Sequence, residues 1–104
     1  MFTGRKPNPV GRPDAELVAW SAAGDRAAFG ELVRRHGPVV RGLLRRMGAE
    51  ASLADDVAQD AFLQAFQKAG DLDNGAAFLP WVKQIAARLY ARRWRRERPD
   101  ASRR

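Results

Sequence analysis

Two helical edges in this sequence carry side chains that the packing of a hydrophobic core does not require. The first edge holds Trp81, Gln84, Arg88, Arg92 and Arg95, which follow one another at three- or four-residue intervals. Residues at this spacing share one side of a helix, here over about 20 Å. Arginine side chains bind phosphates and an aromatic ring stacks on an unpaired base, so this edge favours a nucleic acid. The alternative is that Trp81 packs against a neighbouring helix and the arginines are solvated.

The second edge lies on the preceding helix and is acidic. It holds Asp56, Gln59, Asp60 and Leu63, which lie opposite an apolar stripe because a helix turns by about 100° per residue. Polar groups around one exposed leucine are typical of a protein-docking patch. Two alternatives stay open, a solvated face whose acids complement the helix N-terminus and a carboxylate metal site. The apolar stripe is predicted to bury Ala54, Val57, Ala58, Ala61, Phe62 and Ala65.

The sequence contains no pattern typical of an enzyme. His36 falls in the apolar stripe of the second helix, and no serine or cysteine nucleophile signature accompanies it. We therefore interpret His36 as a hydrogen-bonded interior or edge histidine. Gly70 and Gly75 resemble the spacing of a phosphate-binding loop, but no strand precedes them. We expect no catalytic residue, no cofactor and no bound metal.

The charge of the chain is concentrated at its ends. The net charge is +7, and residues 83–104 alone hold nine basic residues against two acids. This asymmetry indicates a polyanionic partner that contacts mainly the C-terminal segment. Cysteine is absent, which excludes a disulfide framework. The sequence has neither a signal-peptide pattern nor a stretch of about 18 apolar residues, so we expect a cytoplasmic protein that does not cross a membrane.

The elements that must position the two edges are predicted to form an all-α fold, a compact bundle of four helices. Residues 1–13, with several prolines and glycines, are expected to be a disordered basic arm. Residues 14–98 should form the helical domain and residues 99–104 a basic tail. The apolar stripe of the second helix continues in phase past Gly37 and Pro38, so a kink is expected there.

Capping residues predict where the helices begin and end. Asp14 and Asp25 are the predicted N-caps of the first two helices. Ser52 is the predicted N-cap of the third helix, with Asp55 completing a capping box. Glycines are expected to end the first two helices, at Gly24 and Gly48.

The region between the two edges is predicted to be a loop. The third helix should run to about Lys68, and the turn-forming residues 70–75 follow it. The fourth helix should start near Ala76 and continue to about Arg98. This arrangement places the loop directly before the aromatic residue of the basic edge.

Three segments carry a family resemblance. Residues 14–32 contain DAELV and GDRAAFGEL, residues 54–63 read ADDVAQDAFL, and residues 78–86 read FLPWVKQIA. In this order they resemble the opening helices, the polymerase-binding helix and the promoter-melting helix of one protein class. That class is the second conserved region of bacterial sigma factors of the extracytoplasmic-function type, and the similarity runs from Asp14 to about Arg96. The resemblance implies a transcription initiation factor domain with the sigma region-two fold, and not an enzyme.

The resemblance also implies a role for each candidate residue. Docking on the clamp helices of core RNA polymerase is implied for Asp56, Gln59, Asp60 and Leu63. Capture of a flipped base of the minus-ten promoter element is implied for residues 71–75, which include Asp71 and Asn74. Contact with the non-template DNA strand is implied for Trp81, Gln84 and Arg88. Contact with backbone phosphates is implied for Lys83, Arg92, Arg95 and Arg96. The implied function is to dock on polymerase and to recognise and melt the minus-ten element.

The chain departs from the family pattern at the basic edge. Ala87-Arg88 stands where an arginine and an asparagine usually follow Ile-Ala, and Arg92 stands where the family often has an aspartate. Arg88 in place of the asparagine and Arg92 in place of the aspartate each put a positive charge on this edge, so they favour phosphate contact and leave the base preference open. Family members usually carry a further helix-turn-helix domain that reads the minus-thirty-five element, which these 104 residues lack. We therefore expect either an excised domain or an unusual minimal protein.

Two other functions fit the same residues. The first is a sequestered sigma fragment whose main activity is binding an anti-sigma protein over the same faces. The second is a general basic nucleic-acid binder, for example of structured RNA, with no preference for opened minus-ten DNA.

Overall fold

Apolar residues at helical spacing build four α-helices. A computed structural model describes residues 8–97, which form α1 (Asp14–Ala22), α2 (Arg26–Arg46), α3 (Ala51–Gln67) and α4 (Phe78–Glu97). Two 3₁₀ turns, Ala69–Asp71 and Gly75–Ala77, connect α3 to α4. No strand occurs in this part of the chain, which confirms the predicted all-α bundle. The predicted tail, 99–104, and residues 1–7 of the predicted arm lie outside the described residues.

Local sequence signals place several helix ends correctly. The Asp25 carboxylate accepts hydrogen bonds from the backbone N–H groups of Ala27, at 3.0 Å, and Ala28, at 3.2 Å. Asp25 is therefore the N-cap of α2, as predicted. Gly24 and Gly48 follow α1 and α2 with φ values of 98° and 113°. Glycine adopts this left-handed conformation without steric cost, which explains why both helices stop where predicted.

Two predicted caps are wrong. Asp14 is the first residue of α1, whose N-cap is Pro13, and its carboxylate is occupied by partners on α2. The third helix begins at Ala51 after the N-cap Glu50, and the hydroxyl of Ser52 donates to the Glu50 carboxylate at 3.0 Å. The expected capping box with Asp55 therefore does not form, because the helix begins before the predicted cap.

The second helix is uninterrupted. It runs from Arg26 to Arg46 with Pro38 inside it, so the helix continues through the site of the predicted kink. Residues 8–13 of the predicted arm form a turn in which the Arg12 N–H donates to the Pro9 carbonyl at 3.1 Å. The Arg12 guanidinium lies over the Trp20 ring, 5.9 Å from its centroid, so this turn contacts α1.

The core is built around a cluster of aromatic rings. Phe78 is fully buried, and its ring centroid lies 6.4 Å from those of Phe29 and Phe62. Phe66 adds to the cluster with a centroid 4.8 Å from that of Phe29. Such pairs add about 0.5–1.5 kcal/mol each to the free energy of burial. Since these rings come from α2, α3 and α4, the cluster fixes the two candidate edges relative to each other.

A charged network fastens α1 to α2. The Arg34 guanidinium donates twice to the buried Glu31 carboxylate, at 2.8 and 2.6 Å, and the Arg35 Nε donates to it at 2.8 Å. These hydrogen bonds lower the pKa of Glu31 to about 2. Arg35 also donates to Asp14 at 3.2 Å, and His36 Nε2 lies 2.7 Å from the same carboxylate. His36 is therefore a hydrogen-bonded edge histidine, as predicted.

No helix in the described residues is long and apolar enough to span a membrane.

Candidate functional faces on α3 and α4

The outer side of α3 forms an acidic face, defined by Asp56, Gln59, Asp60 and Leu63. All four are exposed, and the Leu63 side chain, at 56% exposure, is among the most exposed large apolar residues described. The six residues predicted to face inward are all buried. Burial of one side of α3 against α2 and α4 leaves the other side in solvent, so helical geometry alone brings the acidic face together.

Arg93 of α4 reaches this acidic face, which the sequence did not predict. Its two terminal nitrogens lie 4.0 Å from a carboxylate oxygen of Asp56 and 4.0 Å from one of Asp60. Because both carboxylates are well exposed and both distances are as long as 4.0 Å, each ion pair stabilises the fold by less than about 0.5 kcal/mol. The sequence did hold an indication of this contact. Arg93 lies four residues after Leu89, which packs against the core, so both residues lie on the same side of α4.

An apolar groove between α2 and α3 borders the acidic face. It has a cavity volume of about 610 Å³ and is lined by Phe29, Val33, Phe62 and Leu63, among others. The Arg41 Nε lies 3.6 Å from the Asp55 carboxylate where both line the groove. The acidic face thus combines carboxylates with an accessible apolar surface, which is the composition of many protein-binding sites.

The outer edge of α4 carries an arginine ladder, defined by Arg88, Arg92 and Arg95. All three are exposed, as is Gln84, and none forms an ion pair within 4 Å with any of residues 8–96, whose side chains the structure describes. Because α4 is continuous to Glu97, the ladder lies on one straight element. Unpaired guanidinium groups at this spacing are available to phosphates.

Trp81 starts the same edge and is partly buried. Its ring centroid lies 6.1 Å from that of Phe78, so the indole packs on the core while part of it stays accessible. The packing alternative for Trp81 is therefore met in part, and its contact with a nucleic acid stays a prediction. A ring held on one side by the core is a rigid surface for stacking.

The predicted DNA-binding set contains two further basic residues on α4, Lys83 and Arg96. Lys83 is half-buried and follows Trp81 by two residues, which corresponds to a rotation of about 200° around the helix. Arg96 is exposed and neighbours Arg95 at the end of α4. The structure therefore groups Arg96 with the ladder and separates Lys83 from it.

The loop that connects α3 to α4 presents Asp71, the last residue of the first 3₁₀ turn, and Asn74 to solvent. The Asn74 side-chain oxygen accepts from the Ala76 N–H at 3.1 Å, which fixes this side chain at the start of the second turn. Leu72 packs against the core, so the loop is anchored at its centre. Carboxylate and amide oxygens accept hydrogen bonds from the amino groups of base edges, and the charged Asp71 carboxylate also repels phosphates.

Among residues 8–96, whose side chains the structure describes, no group of three or more histidine, cysteine, aspartate or glutamate side chains could hold a metal ion.

Comparison with known proteins identifies the family. The Sigma-70 region 2 profile matches residues 32–99, which include α3, α4 and most of α2. The chain belongs to the Sigma-70 region 2 family. A sigma-factor region is a non-enzymatic initiation factor domain, as the resemblance implied.

Several curated sigma factors are similar to this region 2 domain. The extracytoplasmic-function sigma factor SigM of Mycobacterium tuberculosis is 41% identical over 85 residues, which cover 82% of this chain and 43% of SigM. The sigma factor NccH of Alcaligenes xylosoxydans is 39% identical over 72 residues, 69% of this chain and 39% of NccH. CarQ of Myxococcus xanthus is 41% identical over 64 residues, 62% of this chain and 37% of CarQ. The chain thus spans about two fifths of the length of these relatives. No solved structure matches it significantly.

Proposed function

We propose that this region 2 domain docks on core RNA polymerase through the acidic face and captures the opened minus-ten element through its loop and the arginine ladder. The observation that carries the proposal is the separation of charge on one rigid bundle. Exposed carboxylates surround Leu63 on α3, and the exposed arginines of the ladder line α4 on another side. A body with two such faces binds a protein and a polyanion at the same time.

Promoter opening then follows from trapping one strand. Unstacking a base from duplex DNA costs a few kcal/mol. Stacking on Trp81 contributes about 1–3 kcal/mol, and hydrogen bonds from the base to Asp71 or Asn74 add to it. The ladder holds the phosphates of the same non-template strand. The strand stays open without hydrolysis, so the mechanism needs no catalytic residue, and it operates in the cytoplasm where the polymerase is.

The test combines polymerase binding with DNA binding. The full chain should retain core polymerase in a pull-down and should prefer a minus-ten bubble to a duplex of the same sequence. Replacing Asp56 and Gln59 by alanine should abolish retention of polymerase and shift the free energy of unfolding by less than about 0.5 kcal/mol, because both side chains are exposed. The control Glu16→Ala removes a carboxylate from α1 and should retain polymerase. Retention by the double variant would contradict the assignment of the acidic face.

A second candidate function is sequestration by an anti-sigma protein, and the groove beside the acidic face supports it. The groove of about 610 Å³ offers apolar side chains to a partner. An anti-sigma protein seated there would cover Leu63 and so block polymerase. Co-purification with such a protein, without retention of polymerase, would favour this function over the first.

A further inference from the structure

The loop that presents Asp71 and Asn74 is seated directly on α1 at one glycine. A Cβ atom added to Gly75 would lie 2.9 Å from the Ala15 Cα, 3.2 Å from the Ala15 carbonyl oxygen and 3.1 Å from the Val18 Cβ. Two of these three atoms are helix backbone, which does not move aside as the end of a flexible side chain does. Only a residue without a side chain fits this approach.

The other glycine of the loop makes a matched comparison. A Cβ atom added to Gly70 would meet nothing within 4 Å, and its φ is not in the left-handed region. The two glycines lie at the two ends of the loop. Only at Gly75 does the close contact with α1 require a residue without a side chain.

The chain on both sides of Gly75 is fixed. Asn74 before it accepts the Ala76 N–H at 3.1 Å, and Phe78 after it is fully buried and begins α4. A displacement of Gly75 away from α1 is therefore transmitted to Asn74 on one side and, on the other, to the first turn of α4, which carries Trp81. An ordinary contact of a Cβ atom begins near 3.4 Å, so an added methyl group must move the loop or α1 by about 0.5 Å.

We propose that Gly75 is a positioning residue for base recognition, and that α1 is the support that holds the recognition loop in register with Trp81. The inference rests on the proposed function of the loop. A binding constellation must be held within about 0.5 Å of its productive geometry, so the displacement of about 0.5 Å that a methyl group forces reaches this limit and weakens the contacts of Asp71 and Asn74 with a flipped base. Phosphate contacts of the ladder lie further along α4 and are not displaced.

The experiment measures the ratio of the affinity for a minus-ten bubble to the affinity for a scrambled single strand of the same length. In Gly75→Ala this ratio should fall about tenfold, the equivalent of one stacked and paired base. Affinity for the scrambled strand and retention of polymerase should stay within about twofold of those of the original chain, and Gly70→Ala should change none of the three. The backbone N–H of Ala77, which donates to the Asn74 carbonyl at 2.9 Å, should exchange its hydrogen faster in Gly75→Ala than in Gly70→Ala.

Each outcome decides between the two proposals. If the original chain does not prefer the bubble, the proposed function fails and the recognition role of Gly75 fails with it. If the original chain prefers the bubble and a folded Gly75→Ala keeps the same ratio, the inference alone is wrong. If Gly75→Ala does not fold, Val18→Gly replaces it, since it removes the Val18 Cβ atom that faces Gly75 and introduces no clash. A lower ratio in Val18→Gly with retained polymerase supports the inference, and an unchanged ratio overturns it.

Discussion

Removing the arginine ladder should change the salt dependence of DNA binding by a predictable amount. The ladder and Arg96 offer four exposed cationic side chains at the end of α4. Each phosphate contact with a single strand contributes about −0.7 to the slope of log affinity against log salt, so four contacts give a slope of about −2.8. The affinity of the original chain for the bubble should then fall about 50-fold between about 50 and 200 mM salt. In Arg88→Ala/Arg92→Ala/Arg95→Ala only one contact remains, and the fall should be about threefold.

The assay is fluorescence anisotropy of a labelled bubble across that salt range. The matched control removes the same charge from another helix, by replacing Arg26, Arg45 and Arg46 of α2 with alanine. These three are also exposed, and the control should keep the slope of the original chain. An equal loss of slope in both triple variants would show that net charge, and not the ladder, sets the affinity. That result would refute the assignment of α4 as the strand-binding edge.

Three further predictions concern stability. The pKa of Glu31 is lowered to about 2, so its contribution to the free energy of unfolding is complete above about pH 4.5 and is lost as the pH falls towards 2. Denaturant melts of the original chain and of Glu31→Gln should therefore converge between these pH values, and a constant difference would contradict the role of its arginine partners. Arg93→Ala should lower the free energy of unfolding by less than about 1 kcal/mol, because its two carboxylate partners are exposed. A larger loss in the same melts would show that the contacts of Arg93 with Asp56 and Asp60 are a main source of stability. Phe78→Ala should lower it by about 3–5 kcal/mol, whereas Leu63→Ala, at an exposed apolar site, should change it by less than about 0.5 kcal/mol.

The two candidate faces were predictable because helical periodicity is a local property. The inward residues of α3 and the exposed ladder of α4 follow from a rotation of about 100° per residue, and both assignments agree with the structure. The cap at Asp25 and the helix ends at Gly24 and Gly48 were also predictable, since capping depends on neighbouring residues alone.

Partners on other helices were not predictable in the same way. Asp14 has the sequence context of a cap, but Arg35 and His36 on α2 take its carboxylate instead. Tyr90 is buried although the sequence analysis did not assign it to the core. The one indication was its spacing, because Val82, Ala86 and Tyr90 follow one another at four-residue intervals on one side of α4.

The sequence by itself determined four helices, the side that each buries, and the placement of acids on α3 and of arginines on α4. These depend on the order and spacing of residues along single helices. Only the tertiary structure decided that Arg93 spans to the acidic face and that Gly75 rests on the backbone of Ala15. Such contacts join residues far apart in the chain, and their distances are set by how the side chains of the core fill the space between helices.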